Sequence, residues 1–292
     1  MLEHFRHDQL QVNGVTINLR HGGSGPPLLL LHGFPQSHVI WHKVADTLAR
    51  QFTLVMPDLR GYGDSSMPPG LPDHSNYSKR AMAQDMVEVM QALGFTSFYV
   101  CGHDRGARVA HRLALDHPPA VRKLMILDIS PTRTMYEATD KQFATLYYHW
   151  FFLIQPAPVP ETLIGNSAPF LLETILGGWG SNGEKFIDPA AMVEYRRCFC
   201  RPEAIHAACE DYRAAATIDL EHDRDHDVRK IVCPVHVLWG EHGVIGQLFQ
   251  PLEDWQVKCE KPVTGKALPS GHFIAEQVPE LLLQEMLAFF KA

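Results

Sequence analysis

An aspartate at residue 104 stands between a strand-like segment and a helix-like segment. The apolar run 98–101 leads into a Gly-His-Asp-Arg-Gly motif at 102–106. A carboxylate presented at such a turn can displace a leaving group from saturated carbon and form an ester with the protein, whereas a serine there would attack a carbonyl carbon. Aspartate is also a common helix N-cap, and Asp104 taken alone favours that interpretation.

Two more segments could complete a hydrolytic site. A His-Gly-Phe-Pro loop at 32–35 follows the apolar run 27–31, and His272 lies between a strand-like segment and the C-terminal helical pattern. The order of nucleophile, acid and histidine along the chain resembles that of the α/β-hydrolases. In that fold the backbone amides of Phe34 and Arg105 would form an oxyanion hole.

Two acids could orient the histidine. Asp128 ends the strand-like segment 123–129, and Glu241 follows the one that ends at Trp239. An aspartate three or four positions after Gly240 is missing, which favours Asp128 as the orienting acid and leaves Glu241 as the second candidate. As an isolated residue, Asp128 could equally be a helix cap or a turn former.

Two arginines follow the aspartate at helical spacing. Arg105 and Arg108 are three residues apart and therefore lie on one face of the predicted helix. Cations beside Asp104 would keep it ionised and would bind a substrate carboxylate through a planar fork of donors. The alternative is a pair of surface arginines in ordinary ion pairs. Their position directly behind Asp104 favours the first interpretation.

The pattern of elements predicts how these side chains are positioned. A hairpin is expected over 10–19, a helix over 41–49, and a second helix that is capped near Ser78 and runs to Leu93. The alternation of strands and helices indicates a mostly parallel sheet with helices on both faces. Residues 131–228 show helical spacings and no convincing strand, so we expect an inserted helical cap over the strand ends. The predicted organisation is a first part of the core at 1–130, a cap at 131–228 and a second part of the core at 229–292.

Composition excludes several function classes. The 292 residues carry a formal net charge of −7 and no visible basic face, which argues against nucleic acid or an anionic membrane as a partner. The N-terminal segment lacks the apolar stretch of a signal peptide, and the six cysteines lack paired spacing. These features predict a cytoplasmic protein with reduced thiols.

Taken together, the motifs closely resemble the fluoroacetate (haloacetate) dehalogenases over nearly the whole chain. The resemblance implies hydrolysis of a haloacetate through an ester on Asp104, with His272 and Asp128 completing the triad. It also implies carboxylate binding by Arg105 and Arg108, no metal or organic cofactor, and a homodimer. A halide cradle of His149, Trp150 and Tyr212 is implied as well. The segments that carry the resemblance are 32–36, 58–65, 102–108, 149–150, 211–215 and 271–273.

Other functions stay open at this point. An epoxide hydrolase would use the same aspartate but would need cap tyrosines such as Tyr147, Tyr148 and Tyr212 to protonate an alkoxide. A haloalkane dehalogenase would prefer a neutral apolar lining, which Arg105 contradicts. A catalytically silent receptor or scaffold could also use this fold. His222 and His226 have a spacing compatible with metal on a helix, although a solvated hinge is the preferred interpretation.

Overall fold

The computed structural model describes residues 1–181 and 185–291. Within these residues, eight strands form one sheet in the order β1-β2-β4-β3-β5-β6-β7-β8. The strands are β1 (Arg6–Val12), β2 (Val15–Gly23), β3 (Pro27–Leu31), β4 (Thr53–Pro57), β5 (Phe98–His103), β6 (Val121–Leu127), β7 (Val235–Gly240) and β8 (Thr264–Leu268).

Helices fill most of the connections between these strands. Short 3₁₀ helices cover His38–Trp41, Ser75–Tyr77 and Pro118–Ala120. The α-helices are α1 (Ala45–Leu48), α2 (Lys79–Ala92), α3 (Arg105–Asp116), α4 (Thr132–Glu137), α5 (Lys141–Leu146), α6 (Tyr148–Leu153), α7 (Val159–Gly165), α8 (Ala168–Gly177), α9 (Pro189–Phe199), α10 (Pro202–Ala216), α11 (Ile218–Asp225), α12 (Val244–Leu248), α13 (Pro251–Gln256), α14 (Ile274–Gln277) and α15 (Pro279–Lys291).

The sheet is parallel except at one edge. β1 and β2 pair antiparallel around Asn13 and Gly14, which confirms the predicted hairpin, and β2 then pairs antiparallel with β4. From β4 onward the neighbouring strands run parallel. Parallel strands place their carboxyl ends at one edge of the sheet, which is where open α/β sheets bind ligands.

Both faces of the sheet are covered, as the sequence predicts. Leu28 and Leu30 belong to one hydrophobic cluster, and Leu29 and Leu31 belong to the other. This alternation follows from the two-residue repeat of a strand, and it explains why the segment is a continuous apolar run. α2 and α3 contribute to one cluster, and α1 and α15 contribute to the other.

The helix predicted over 41–49 is only partly present. The structure has a 3₁₀ helix at His38–Trp41 and a separate short helix at Ala45–Leu48. The backbone amide and the ring Nδ1 of His38 both lie 2.8 Å from Oδ1 of Asp58. These tertiary hydrogen bonds fix the start of the segment earlier than helical periodicity alone would place it.

A long helical segment separates β6 from β7. It comprises α4 to α11, and its described part contains no strand, in agreement with the sequence pattern. We refer to these helices as the insertion. The predicted cap, 131–228, also includes residues 182–184, and the predicted last part of the core includes residue 292; these positions lie outside the described residues. In the described ranges, no helix is both long and apolar enough to span a bilayer.

Candidate active site

Asp104 occupies a sharp turn between β5 and α3. Its φ of 48° is unusual for a non-glycine residue, and strained conformations of this kind concentrate at functional sites. Gly106 permits the turn, because a Cβ there would lie 2.3 Å from the carbonyl oxygen of His32. The Asp104 side chain makes no capping hydrogen bond to α3. The helix-cap interpretation of Asp104 is therefore wrong.

The carboxylate of Asp104 is buried in a positive environment. Burial pushes its pKa upward, but the charges of His272 and Arg105 outweigh this effect and hold the pKa below the usual aspartate value. The backbone amide of Phe34 donates a hydrogen bond to Oδ1 at 2.9 Å. Asp104 is thus ionised at neutral pH, as a carboxylate nucleophile must be.

His272 lies between two carboxylates. Its Nδ1 is 2.5 Å from Oδ2 of Asp128, and its Nε2 is 3.9 Å from Oδ2 of Asp104. The short contact to an acceptor-only carboxylate places the proton on Nδ1 and leaves Nε2 free to take a proton. Nε2 is buried and has no hydrogen-bond partner among the described residues. The arrangement has the geometry of a nucleophile, a base and an orienting acid.

The acid beside the histidine is Asp128 and not Glu241. Asp128 directly follows β6, and its Oδ1 also accepts a hydrogen bond of 2.8 Å from the amide of Gly240. Burial raises the pKa of Asp128, while the hydrogen bonds from His272 and Gly240 act in the opposite direction. The side chain of Glu241 is about half exposed and pairs with His242.

Arg105 and Arg108 are both buried, so the alternative of two surface arginines is wrong. Arg105 donates from Nε and Nη2 to the carboxylate of Asp211, with N–O distances of 2.8 and 2.9 Å. The fork expected to hold substrate is therefore occupied by the protein itself. The remaining nitrogen, Nη1, is buried and has no partner among the described residues.

Arg108 is held by neutral groups. Its Nη1 donates to Thr132 Oγ1 at 2.9 Å and lies 3.3 Å from the carbonyl oxygen of Ser130, and its Nη2 contacts the sulfur of Met135. Its Nε has no partner within the described ranges. Burial lowers the pKa of Arg108, and the positive charge of Arg105 lowers it further. A bound anion would offset both effects and favour the charged form of Arg108.

The three residues of the predicted halide cradle lie close together, and two of them pack against Phe34. The rings of His149 and Tyr212 lie 6.1 and 5.3 Å from the Phe34 ring, and the Trp150 ring lies 6.4 Å from that of Tyr212. The Arg105 guanidinium lies 4.1 Å above the Tyr212 ring. Buried and unpartnered polar atoms within the described residues include His149 Nδ1, Trp150 Nε1 and the Tyr212 hydroxyl.

These groups are neutral at physiological pH. Burial lowers the pKa of His149 to about 3, and burial together with the charge of Asp104 raises the pKa of Tyr212 well above its ordinary value. A neutral imidazole, an indole and a phenol can each donate one hydrogen bond to an anion. Because unpaired buried donors are costly, such a cluster fits a site that receives a ligand.

Several residues at the site were not identified from the sequence. Trp179 packs 4.5 Å from the His149 ring, and its carbonyl accepts the amide of His272 at 2.9 Å. His103 Nε2 lies 2.8 Å from the His272 carbonyl, so the backbone of the base is held on two sides. No local sequence signal marks Trp179, whereas His103 lies within the motif at 102–106. Asp211 does precede Tyr212 in one of the segments that carry the family resemblance.

His222 and His226, the alternative candidate metal ligands, are not arranged to bind a metal ion. His222 lies on α11, and His226 caps the end of that helix. His226 contacts the guanidinium of Arg112 at 3.1 Å, which disfavours a bound cation. Over residues 1–181 and 185–291, no group of three or more histidine, cysteine or acidic side chains is arranged to hold a metal ion.

The fold and the triad geometry agree with a comparison against known families. A profile of the α/β hydrolase fold matches residues 26–277. The chain belongs to the α/β-hydrolase fold family. Its mostly parallel sheet, with the candidate nucleophile after β5 and the candidate base after β8, is the arrangement of an α/β-hydrolase.

Individual relatives of this α/β-hydrolase show which members of the family it resembles. The chain is 47% identical to a fluoroacetate dehalogenase from Burkholderia sp, covering 99% of this chain and 95% of the relative. It is 33% identical to a soluble epoxide hydrolase from Corynebacterium sp. (strain C12), covering 97% and 96%. A solved structure from Nostoc sp PCC 7120, described only as an α/β hydrolase, is 56% identical, with a TM-score of 0.96 and 99% coverage of both chains. The resemblance to the fluoroacetate dehalogenases is confirmed.

Proposed function

We propose that this α/β-hydrolase hydrolyses a haloacetate, such as fluoroacetate or chloroacetate, to glycolate and halide through an ester on Asp104. The observation that carries the proposal is the set of buried donors, around an ionised aspartate, that have no partner among the described residues. Two belong to arginines, which suit a substrate carboxylate, and three belong to His149, Trp150 and Tyr212, which suit a departing halide. The 47% identity to a fluoroacetate dehalogenase supports the same substrate class.

In the first step Asp104 attacks the α-carbon of the haloacetate. The hydrogen bond from Phe34 engages Oδ1, so Oδ2 is the attacking oxygen. The new bond joins Oδ2 to the α-carbon while the carbon–halogen bond breaks from the opposite side. The halide leaves with the bonding electrons toward the donors of His149, Trp150 and Tyr212. Each charge-assisted hydrogen bond there contributes roughly 1.5–3 kcal/mol.

In the second step water cleaves the ester. Nε2 of His272, with Nδ1 bound to Asp128, takes a proton from water, and the resulting hydroxide attacks the carboxyl carbon of Asp104. The negative charge then develops on Oδ1, where the amides of Phe34 and Arg105 stabilise it. Collapse breaks the bond to the ester oxygen, and His272 returns its proton to the glycolate hydroxyl. The carboxyl group of Asp104 then loses the second proton of the water molecule to solvent, which restores the ionised nucleophile.

Two measurements test this function. Purified protein is assayed for fluoride and chloride release from the two haloacetates, with Asp104→Asn as the inactive control. A single turnover in heavy-oxygen water places the label in Asp104, because water attacks the protein carboxyl group. Label found only in glycolate would mean direct attack by water on the substrate, and the ester would be abandoned.

Epoxide hydrolysis is the second candidate function. The 33% identity to a soluble epoxide hydrolase and the unpartnered hydroxyl of Tyr212 favour it. The two buried arginines fit less well, because an uncharged epoxide makes no use of them. Assay of a neutral epoxide beside chloroacetate compares the two directly. Diol formation faster than chloride release would favour the epoxide hydrolase.

We also propose a cytoplasmic homodimer. The six cysteines are free thiols, five of them buried, which suits a reducing compartment. The homodimer rests on the family resemblance. Light scattering after size-exclusion chromatography measures the mass of the assembly, and fractionation of the source cells tests the location.

A further inference from the structure

The carboxylate of Asp211 takes up two of the three nitrogens of Arg105. Both of its oxygens accept from the guanidinium fork, and its backbone carbonyl oxygen accepts a third hydrogen bond of 2.9 Å from Nη2. Asp211 lies on α10 of the insertion, whereas Arg105 begins α3 of the core. The orientation of this core arginine is therefore set by an aspartate of the insertion.

Asp211 is itself held from the core. The hydroxyl of Tyr62 donates to its Oδ2 at 2.6 Å, and the ammonium group of Lys79 hydrogen-bonds to its Oδ1. Lys79 also pairs with Asp219 at 3.5 Å. All the members of this network are buried. A carboxylate fixed by so many donors has little freedom to turn, so the arginine it holds is equally fixed.

The charges of this network cancel. Arg105 and Lys79 supply two positive charges, and Asp211 and Asp219 supply two negative charges. Arg108, in contrast, is hydrogen-bonded to neutral oxygens and a sulfur. The net attraction for an anion therefore comes mainly from Arg108. Because its charge is balanced by Asp211, Arg105 contributes to anion binding mainly through an oriented N–H donor.

We propose that Asp211 is a positioning residue that fixes the Arg105 guanidinium so that Nη1 donates to the substrate carboxylate, alongside Nε of Arg108. This inference rests on the proposed function. One donor from each arginine then holds the anion, in place of a bidentate grip by a single guanidinium. The carboxylate is held at two points, which aims the α-carbon at Asp104.

Asp211→Asn tests the proposal because orientation and charge predict opposite results. The amide cannot accept from both fork nitrogens, so a positioning role predicts weaker anion binding. A purely electrostatic role predicts tighter binding, because the substitution removes a negative charge near the substrate. We expect the KM for chloroacetate and the dissociation constant for acetate, measured by calorimetry, to rise by about ten-fold or more. The turnover number should fall by a smaller factor, since binding in the ground state is chiefly affected.

Glu210→Gln is the matched control. Glu210 is the preceding residue of α10, is also buried, and pairs with Arg213 and His74 away from Arg105. We expect its KM and acetate affinity to stay within about two-fold of wild type. Unchanged or tighter acetate binding by a folded Asp211→Asn protein would overturn the proposal, and so would an equal loss in Glu210→Gln.

Tyr62→Phe covers the case in which Asp211→Asn does not fold. It removes only the hydroxyl that donates to Asp211, and we expect acetate binding to weaken by about three-fold. Unchanged binding in this variant would overturn the proposal. Failure of the proposed function is a separate result: wild-type protein would then release no halide from chloroacetate, while the acetate titrations would still report on Arg105.

Discussion

The backbone amide of Phe34 donates a hydrogen bond of 2.9 Å to Oδ1 of Asp104. A predicted donor of the oxyanion hole thus holds the nucleophile itself. The same oxygen would carry the negative charge when water attacks the ester, so the stabilising contact exists before the reaction begins. Such preorganised donors cost no rearrangement at the moment of charge development.

Gly33→Ala should disable the enzyme by displacing Asp104. A Cβ at residue 33 would lie 2.5 Å from both Cβ and Oδ1 of Asp104 and 2.9 Å from the amide nitrogen of Arg105. Because these neighbours are backbone or a fixed carboxylate, the nucleophile must shift, and we expect kcat/KM for chloroacetate to fall on the order of 100-fold. Gly165→Ala is the control, since a Cβ there would meet no atom of the described residues within 4 Å. Wild-type activity in Gly33→Ala would contradict the close approach.

His272→Asn should trap the ester. Asparagine cannot accept the proton from water, so the first step proceeds and the second does not. Intact-protein mass spectrometry after incubation with chloroacetate should detect a stoichiometric carboxymethyl adduct, which peptide mapping places on Asp104. The double variant Asp104→Asn/His272→Asn should gain no mass. An adduct in the double variant would point to another nucleophile.

Lowering the pH should leave the first step intact well into the acidic range. The pKa of Asp104 is held below the usual aspartate value, so this residue stays ionised, and able to attack, until the pH falls below that range. With enzyme in excess of chloroacetate, we expect the rate of single-turnover chloride release, measured by rapid quench, to be the same at pH ~5 as at pH ~7. A rate that has already fallen several-fold at pH ~5 would contradict a lowered pKa of the nucleophile.

Tyr212→Phe should slow halide release in a way that depends on the halogen. The variant removes one buried donor, and we expect kcat/KM for fluoroacetate to fall by about ten- to 100-fold. Bromoacetate should lose less, because a large, weakly hydrated anion depends less on each hydrogen bond. Tyr148→Phe is the control, since that side chain is substantially exposed. Equal losses for fluoride and bromide would remove Tyr212 from the halide cradle.

The sequence predicted the parts of the site that depend on local signals. β3 at Pro27–Leu31 was recognisable because an apolar run lies between glycine, proline and a tight loop, and Ser78 caps α2 where a cap was expected. The positions of Asp104, Asp128 and His272 follow from the ends of such strands. Their mutual distances, however, depend on the order of strands in the sheet.

Contacts between distant segments account for what the sequence did not predict. The guanidinium fork of Arg105 was expected to hold substrate, but two of its nitrogens donate to Asp211. Asp211 lies near the end of the insertion, far from Arg105 in the sequence. Trp179 likewise reaches His149 and His272 from a segment without a recognisable motif. These contacts depend on how the insertion packs against the core, and the periodicity of the sequence does not predict that packing.

The nucleophile and base belong to the core, whereas the predicted halide cradle belongs to the insertion, and this separation affects how substrate selectivity could change. Asp104, Asp128 and His272 follow strands of the sheet, whereas His149, Trp150 and Tyr212 belong to α6 and α10. Under the proposed function, substitutions in those two helices would alter which leaving group is accepted while the attacking carboxylate and its base stay where they are. Directed evolution toward other halides, or toward leaving groups that are not halides, would therefore need to vary only two short segments, α6 and α10.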